Sequence, residues 1–445
     1  MKPSRSVLTA WLAAGCLLPA AAPAFAQTPA APAAPETPAA PAAPAADAPP
    51  PGYWINGIHL SAQIEGGITV NPAGPANGQN FGQLFTDRAN QPLLNQLLVT
   101  ANKPLDPKAT DFDWGFKLQG MYGSDARYTH ILGEFDQNPG PAYRNQFNVV
   151  EANVLLHLPF PTDGGMDVKI GQYPTPLGYE TIDPSTNPFY SHSYIFNFGL
   201  PFEHVGFLTT THVTSLLDVY LGLDTGVNTS FGPSGDDNDT IAGVGGIGLN
   251  MMDGNLTVLA LTHIGPENAS RALAPAFNAN SYMRYLNDLI VTWKASDKLT
   301  LVTEGNWIRD DYLGIAQTFP KPSSANAYGV AQYVSYTLTD TMTINLRGEV
   351  YRDDSAAFVF AFPGNNDFVR SELGLPNGSY GVAKPTTYGE ITIGATFKPD
   401  LPAPITGLLI RPELRVDSAL SGGHPYNTGT SSTQLTLASD FVLTF

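Results

Sequence analysis

The chain has 445 residues, of which the first 26 carry the features of a removable export signal. Charged residues are 14% of the total, against roughly 25% in ordinary soluble proteins, and the net charge of −17 becomes −19 once Lys2 and Arg5 leave with the signal. That acidity excludes non-specific nucleic-acid binding, which needs basic patches. The single Cys16 lies inside the signal, so disulfides, thiolate catalysis and Cys-based metal sites are excluded from the rest.

The signal reads in three parts: Lys2 and Arg5, an apolar run from Val7 to Leu18, then Ala24-Phe25-Ala26 before Gln27. A lipoprotein signal ending at Gly15-Cys16 would leave a much shorter apolar core. Residues 27–52 form an Ala/Pro tract with only Glu36 and Asp47 charged. It has too few large apolar residues to build a core, and its prolines favour an extended polyproline II spacer. A spacer of that length reaches about 80 Å at ~3.1 Å per residue, enough for contact with the cell wall or a periplasmic partner.

From residue 53 to 445 no run of 18 apolar residues occurs, so no transmembrane helix is expected. Segments of about ten residues alternate apolar and polar instead, the pattern of a transmembrane antiparallel β-barrel, all-β in class. Met342, Ile344, Leu346, Gly348 and Val350 fall on one face, and Thr343, Asn345, Arg347, Glu349 and Tyr351 on the other. Similar segments begin near Ile58, Leu93, Phe112, Phe147, Met166, Phe202, Leu217 and Ile241. They continue near Leu256, Arg284, Leu299, Ala327, Met342, Tyr388, Leu408 and Thr433, giving about 16 strands. Those near Leu93 and Ile241 alternate poorly, which leaves 14 as the alternative, and Pro412 inside one segment predicts a bulge or a displaced register.

The connections alternate in length. Thr214-Ser215, Asn250 to Asn255, Ala295 to Lys298 and Thr339 to Thr341 are short; Asn71 to Gln91, Ser124 to Asn145, Tyr173 to Pro201 and Arg352 to Pro385 are long. Short periplasmic turns and long external loops are the habit of outer-membrane barrels. An even strand count puts both chain ends, and the Ala/Pro arm, on the periplasmic side. Aromatics at alternate positions and a final Phe in Phe441-Val442-Leu443-Thr444-Phe445 match a barrel-closing strand that the assembly machinery reads through Phe445.

Motifs that resemble chemistry are weak. Gly243 to Gly248 fits Gly-x-Gly-x-x-Gly, but the phosphate-binding use of that pattern needs a following helix, and another strand follows. Small residues that admit a close neighbour are the better reading. Asp236, Asp237 and Asp239 form an acidic loop cluster without the Gly and Glu of a calcium loop; lipopolysaccharide bridged by divalent ions is the partner such acids fit. None of the eight histidines has the i, i+4 spacing of a helical metal pair, although His192 and His204 flank the third long loop and could act jointly. No Gly-x-Ser-x-Gly elbow is present. No catalytic group, cofactor or metal site is expected.

With the apolar face outward, Lys117, Glu151, Lys169, Arg284, Asp288, Glu304, Arg347 and Glu349 point inward, as do Arg411, Glu413, Arg415 and Asp417. Charges facing lipid cost a few kcal/mol each at the membrane midplane. As a set, these residues imply a water-filled interior, because burying so many ions dry is costly.

The block Lys169-Ile170-Gly171-Gln172-Tyr173-Pro174-Thr175-Pro176-Leu177-Gly178-Tyr179-Glu180 resembles the OmpL-like family of β-barrel porins. So do Asn187 to Ser193, Gly199 to Gly206, Trp293 to Leu301 and Leu346 to Asp354, and the resemblance runs from about Ile58 to Phe445. It implies an outer-membrane porin-like barrel without agreed substrate or site residues. By analogy with general porins the third loop folds inward, with Tyr179, Glu180 and Asp183 at a constriction facing Arg347, Arg411 and Arg415. The expected function is passive diffusion of ions or small hydrophilic solutes. The alternative is a structural outer-membrane protein tethered through the Ala/Pro arm.

Overall fold

The computed structural model describes residues 53–135, 143–232, 238–269, 279–311 and 324–445. The export signal and the Ala/Pro tract lie outside the described residues, as do Asp236 and Asp237 of the acidic cluster. No helix among the described residues is long and apolar enough to cross a membrane.

Sixteen long strands account for most of the described chain. They are β1 (Ile58–Val70), β2 (Pro92–Lys103), β3 (Asp113–Gly123), β4 (Gln146–Leu158), β5 (Met166–Pro174) and β6 (Glu203–His212). Then come β7 (Leu217–Asp224), β8 (Ala242–Met251), β9 (Leu256–Gly265), β10 (Arg284–Lys294) and β11 (Leu299–Asp310). The last five are β12 (Ala325–Thr339), β13 (Met342–Asp353), β14 (Thr386–Phe397), β15 (Gly407–Ser421) and β16 (Thr433–Thr444). Each pairs antiparallel with the next, and β16 pairs with β1, so the sheet closes and leaves no long edge. Tyr53–Ile55 precedes β1 as a short strand folded back on it through Asn56 and Gly57, both at positive φ as a tight hairpin turn requires.

The 14-strand alternative is thereby excluded: the two poorly alternating segments are β2 and β8, each paired on both sides. Pro412 produces no bulge. It stays in register with Ser439 of β16, and only the ladder toward β14 is interrupted, because proline has no N–H to donate. True register shifts lie elsewhere, notably at Glu65/Gly66, where Asn95 of β2 is the extra residue. Within the glycine-rich β8, a Cβ on Gly246 would clash with the Ala260 carbonyl oxygen, so the close-neighbour reading holds there, whereas Gly243 and Gly245 have room.

Period two sorts the side chains. On β13, Leu346 and Val350 are 42% and 52% exposed on the outer wall, while Asn345, Arg347, Glu349 and Tyr351 are buried inside. Exposed Leu118, Val154, Ile170, Leu221, Leu289, Ile391 and Leu437 continue the outer apolar band. Exposed Trp114, Trp293, Tyr336 and Phe397 ring the short-turn end, and Tyr122, Trp307 and Tyr328 the long-loop end. Two aromatic girdles around an apolar band mark a barrel surface that faces lipid.

The inside is far from empty at the long-loop end. The loop between β1 and β2 buries Phe81, Leu84 and Phe85, and the loop between β13 and β14 buries Val359, Ala361 and Val369. Arg127, just after β3, grips Asp87 through two hydrogen bonds of 2.8 and 3.0 Å, joining the first two long loops. Tyr128 adds a third at 2.9 Å.

Candidate functional site

The third long loop, between Pro174 and Glu203, enters the barrel. Its Pro-rich opening forbids a regular helix, and its backbone polar groups need partners once buried. The wall supplies them. Inward carboxylates accept loop N–H groups: Asp288 from Gly178 (3.0 Å), Glu304 from Tyr179 (3.1 Å), Glu413 from Tyr190 (3.0 Å) and Ser191, and Glu349 from Tyr194 (2.6 Å) and Ile195 (2.8 Å). Inward arginines donate to loop carbonyls: Arg347 to Ser191 (2.8 Å), Arg411 to Pro184 (2.7 Å) and Asn187 (2.8 Å), and Arg415 to His192 (2.5 Å).

One loop side chain joins the ladder directly. Arg347 donates to Glu180 at 2.6 Å, and Glu180 also accepts from the Ser193 N–H and pairs with His192. Burial raises the Glu180 pKa, but the Arg347 charge and the hydrogen bonds from His192 and the Ser193 N–H outweigh it and hold the carboxyl down at about 2. Burial pushes the imidazole of His192 below its ordinary value. His192 stacks on Phe196 at 4.0 Å, and Phe85 of the first loop meets both rings edge-on.

Aromatics complete the fit. Tyr194 stacks against Tyr388 at 5.0 Å and lies under the Arg415 guanidinium, and Phe189 lies under Arg347. The Tyr179 ring meets Tyr333 of β12 at 4.6 Å. A Cβ on Gly67 of β1 would fall 2.6 Å from the Tyr190 ring, so glycine is what lets Tyr190 reach the wall. Its hydroxyl then donates to Asn95, the residue that the β2 bulge turns inward.

These contacts correct two expectations. The wall charges at the loop do not line open water; Arg347, Arg411, Arg415, Glu304, Glu349 and Glu413 are buried against loop backbone. Fixed backbone dipoles replace the water that the unpaired ions would need. Asp183, in turn, does not face the arginines. It accepts from Ser185 N–H and hydroxyl and from Gln63, bracing the turn whose carbonyl at Pro184 meets Arg411.

The remaining residues fall elsewhere on the wall. Asp417 accepts from Arg415 and from the Tyr194 hydroxyl, and Arg284 pairs with Asp310 across β10 and β11 at 2.8 Å. Lys117 pairs with Glu151 at 2.6 Å and stays one-third exposed. Lys169 is half-buried beside the Tyr173 ring. Sequence reading passed over Glu65, Glu390 and Asp440, which pair with the arginines from behind. The same period-two phase that marked Arg347 places them inward, and it was legible on their strands.

The loop does not lie evenly. Among the described residues, hydrogen bonds from residues 177–199 to the wall fall on β10, β11, β13, β14, β15, β1 and β2. The arc of β3 to β9, with Lys117, Glu151 and Lys169, receives none of them.

One family profile, described as "Putative beta-barrel porin-2, OmpL-like", matches residues 57–445. The chain belongs to this family. As a porin-like barrel its place is the bacterial outer membrane, with the long loops outside. No curated protein matches the sequence. By structure the porin is similar to the outer-membrane channel DcaP of Acinetobacter baumannii, at 12% identity and TM-score 0.51 over 89% of this chain and 100% of that one. The anion-selective porin of Comamonas acidovorans superimposes with TM-score 0.54 at 11% identity, over 87% and 99%. OmpF of Salmonella typhi, solved with daunomycin, gives 0.52 at 9% identity, over 87% and 97%. At these identities the likeness concerns the fold.

Proposed function

We propose that this porin is a passive diffusion channel whose passage for ions or small hydrophilic solutes runs between the third loop and the arc of β3 to β9, without catalysis. The observation that carries this reading is the one-sided hydrogen bonding of the loop: the bonds of residues 177–199 fall on β10 to β2, and none reaches the Lys117 and Lys169 wall. Lys117, Glu151 and Lys169 stand on this arc, with Asp167 and Asp218 nearer the short turns, so its wall offers the charged, solvent-reached lining that ions or small hydrophilic solutes need.

The finer features follow from placement. Tyr53 starts the described chain at the short-turn end, which supports an Ala/Pro arm in the periplasm that can reach the cell wall or a periplasmic partner. Phe445 closes the barrel through its N–H to Ala62 (2.9 Å), leaving its side chain partly exposed where assembly machinery can read it. Lipopolysaccharide is the neighbour expected at the outer girdle. Planar-bilayer recording under a salt gradient tests the channel: stable conductance steps support it. A folded barrel that never conducts would transfer the function to the tether.

A further inference from the structure

His204, Asp224 and His263 meet inside the wall near the outer end of β6, β7 and β9, and all three are fully buried. Asp224 lies between the two imidazoles: Oδ1 is 2.9 Å from His263 Nε2, and Oδ2 is 3.5 Å from His204 Nδ1. Their three ligand atoms lie within 4.8 Å of one another. Small neighbours make room for this. Asp224 pairs in register with Gly206 on one side and Ala242 on the other, and His263 pairs with Val244, so the carboxylate can reach His263 across β8.

A hydrogen-bonded relay that merely satisfies three buried groups is the simpler account, but it leaves two buried atoms unsatisfied. Asp224 Oδ2 and His263 Nδ1 are buried without a hydrogen-bond partner. Asp224 Oδ1 already accepts the Gly226 N–H at 2.9 Å, so the atom left over is the one aimed at His204.

We propose that this trio is a binding site for one divalent transition-metal ion, with Zn²⁺ as the best fit. Two imidazole nitrogens and a carboxylate oxygen are the ligand types Zn²⁺ takes in catalytic and mixed sites. The far side of each ring is built as an outer shell for such a centre. His204 Nε2 faces the Thr175 hydroxyl at 3.1 Å, and His263 Nδ1 faces Glu267 Oε1 at 3.9 Å. Thr175 begins the third loop and Val227 N–H holds Glu267, so a bound ion would tie two external loops to the wall.

A second cluster supplies the control. At the short-turn end, Asp167 lies between His157 (2.7 Å) and His212 (3.4 Å), and Asp218 pairs with His212; all but the buried His157 have solvent access. The test uses the folded, tag-free barrel in detergent, treated with chelator and then titrated with Co²⁺ and with Zn²⁺. The expected result is one ion per barrel, with Co²⁺ giving the intense visible absorption of a low-coordinate N/O site. Asp224→Asn and His263→Gln should each abolish that absorption, and the His157→Asn/His212→Asn double variant should keep it. Absence of uptake by the wild-type barrel would overturn the proposal, as would absorption lost only in the double variant. If Asp224→Asn fails to show the heat-modifiable migration of a folded barrel, His263→Gln and the wild-type titration decide.

Discussion

Arg347 of the barrel wall and Glu180 of the third loop meet at 2.6 Å with both side chains buried. The guanidinium is shared with Glu390 behind it and with the Ser191 carbonyl beside it, so one side chain joins a wall carboxylate to two loop groups. Removing it strands two buried carboxylates. Arg347→Ala should therefore weaken loop docking by about 3–5 kcal/mol, the usual cost of breaking one side of a buried pair. Single-channel traces of the variant should show larger conductance and rapid fluctuation, while its strands still give heat-modifiable migration. Wild-type traces would show that the loop is held by other contacts.

Protonating Glu180 should release the same latch. Its carboxyl is held at about 2 against a reference value of 4.5. A depressed acid contributes its full stabilisation above the unfolded value and loses it as pH falls through the folded one. Docking should thus be constant from neutral pH down to about 4.5 and weaken toward pH 2, by about 3 kcal/mol in all. Conductance recorded against pH should rise only in that window, and Glu180→Gln should abolish the rise. A transition near neutrality, unchanged in Glu180→Gln, would assign gating to another group.

Gly67 should resist any side chain. A Cβ there meets the Tyr190 ring at 2.6 Å, and overpacking of this kind costs about 1–3 kcal/mol. Gly67→Val should destabilise the loop, and adding Tyr190→Ala should recover part of the loss. Equal costs of Gly67→Val with and without Tyr190, measured by urea unfolding in vesicles, would show that the two do not touch.

How much of this was legible in the sequence depends on the period of the signal. Strands announce themselves by alternation, so all sixteen starts and the inward phase of Arg347, Glu349 and Arg411 were readable, even where Pro412 interrupts a ladder. Loop docking has no period. Nothing in Gly178, Tyr190 or Ile195 tells that their backbone N–H groups end on Asp288, Glu413 and Glu349, because those bonds do not depend on the loop side chain. For the same reason the wall charges read as lining for water when they are partners for backbone. His204, Asp224 and His263 were hidden differently: they lie on three strands, and only the barrel brings them together. His192 and His204, close in sequence, have separate partners in Glu180 and Asp224.

Selectivity should follow the Lys117 and Lys169 arc rather than the buried ladder. Lys169→Gln with Lys117→Gln should move the reversal potential under a salt gradient toward cations by several millivolts or more, because Glu151 is then unopposed. Asp183→Asn should leave it unchanged, since that carboxylate braces a turn against Gln63 and Ser185. The opposite pattern would place the passage along the arginine side.

The proposed passage is narrowest where the third loop fills the lumen. Its most direct test replaces residues 179–198 with a short Gly-Ser linker and compares single-channel conductance with the wild type at one salt concentration, after heat-modifiable migration confirms a folded barrel. Conductance should increase several-fold, as the lumen held by Glu180, Tyr190 and Tyr194 empties. Conductance equal to that of the wild type would contradict it.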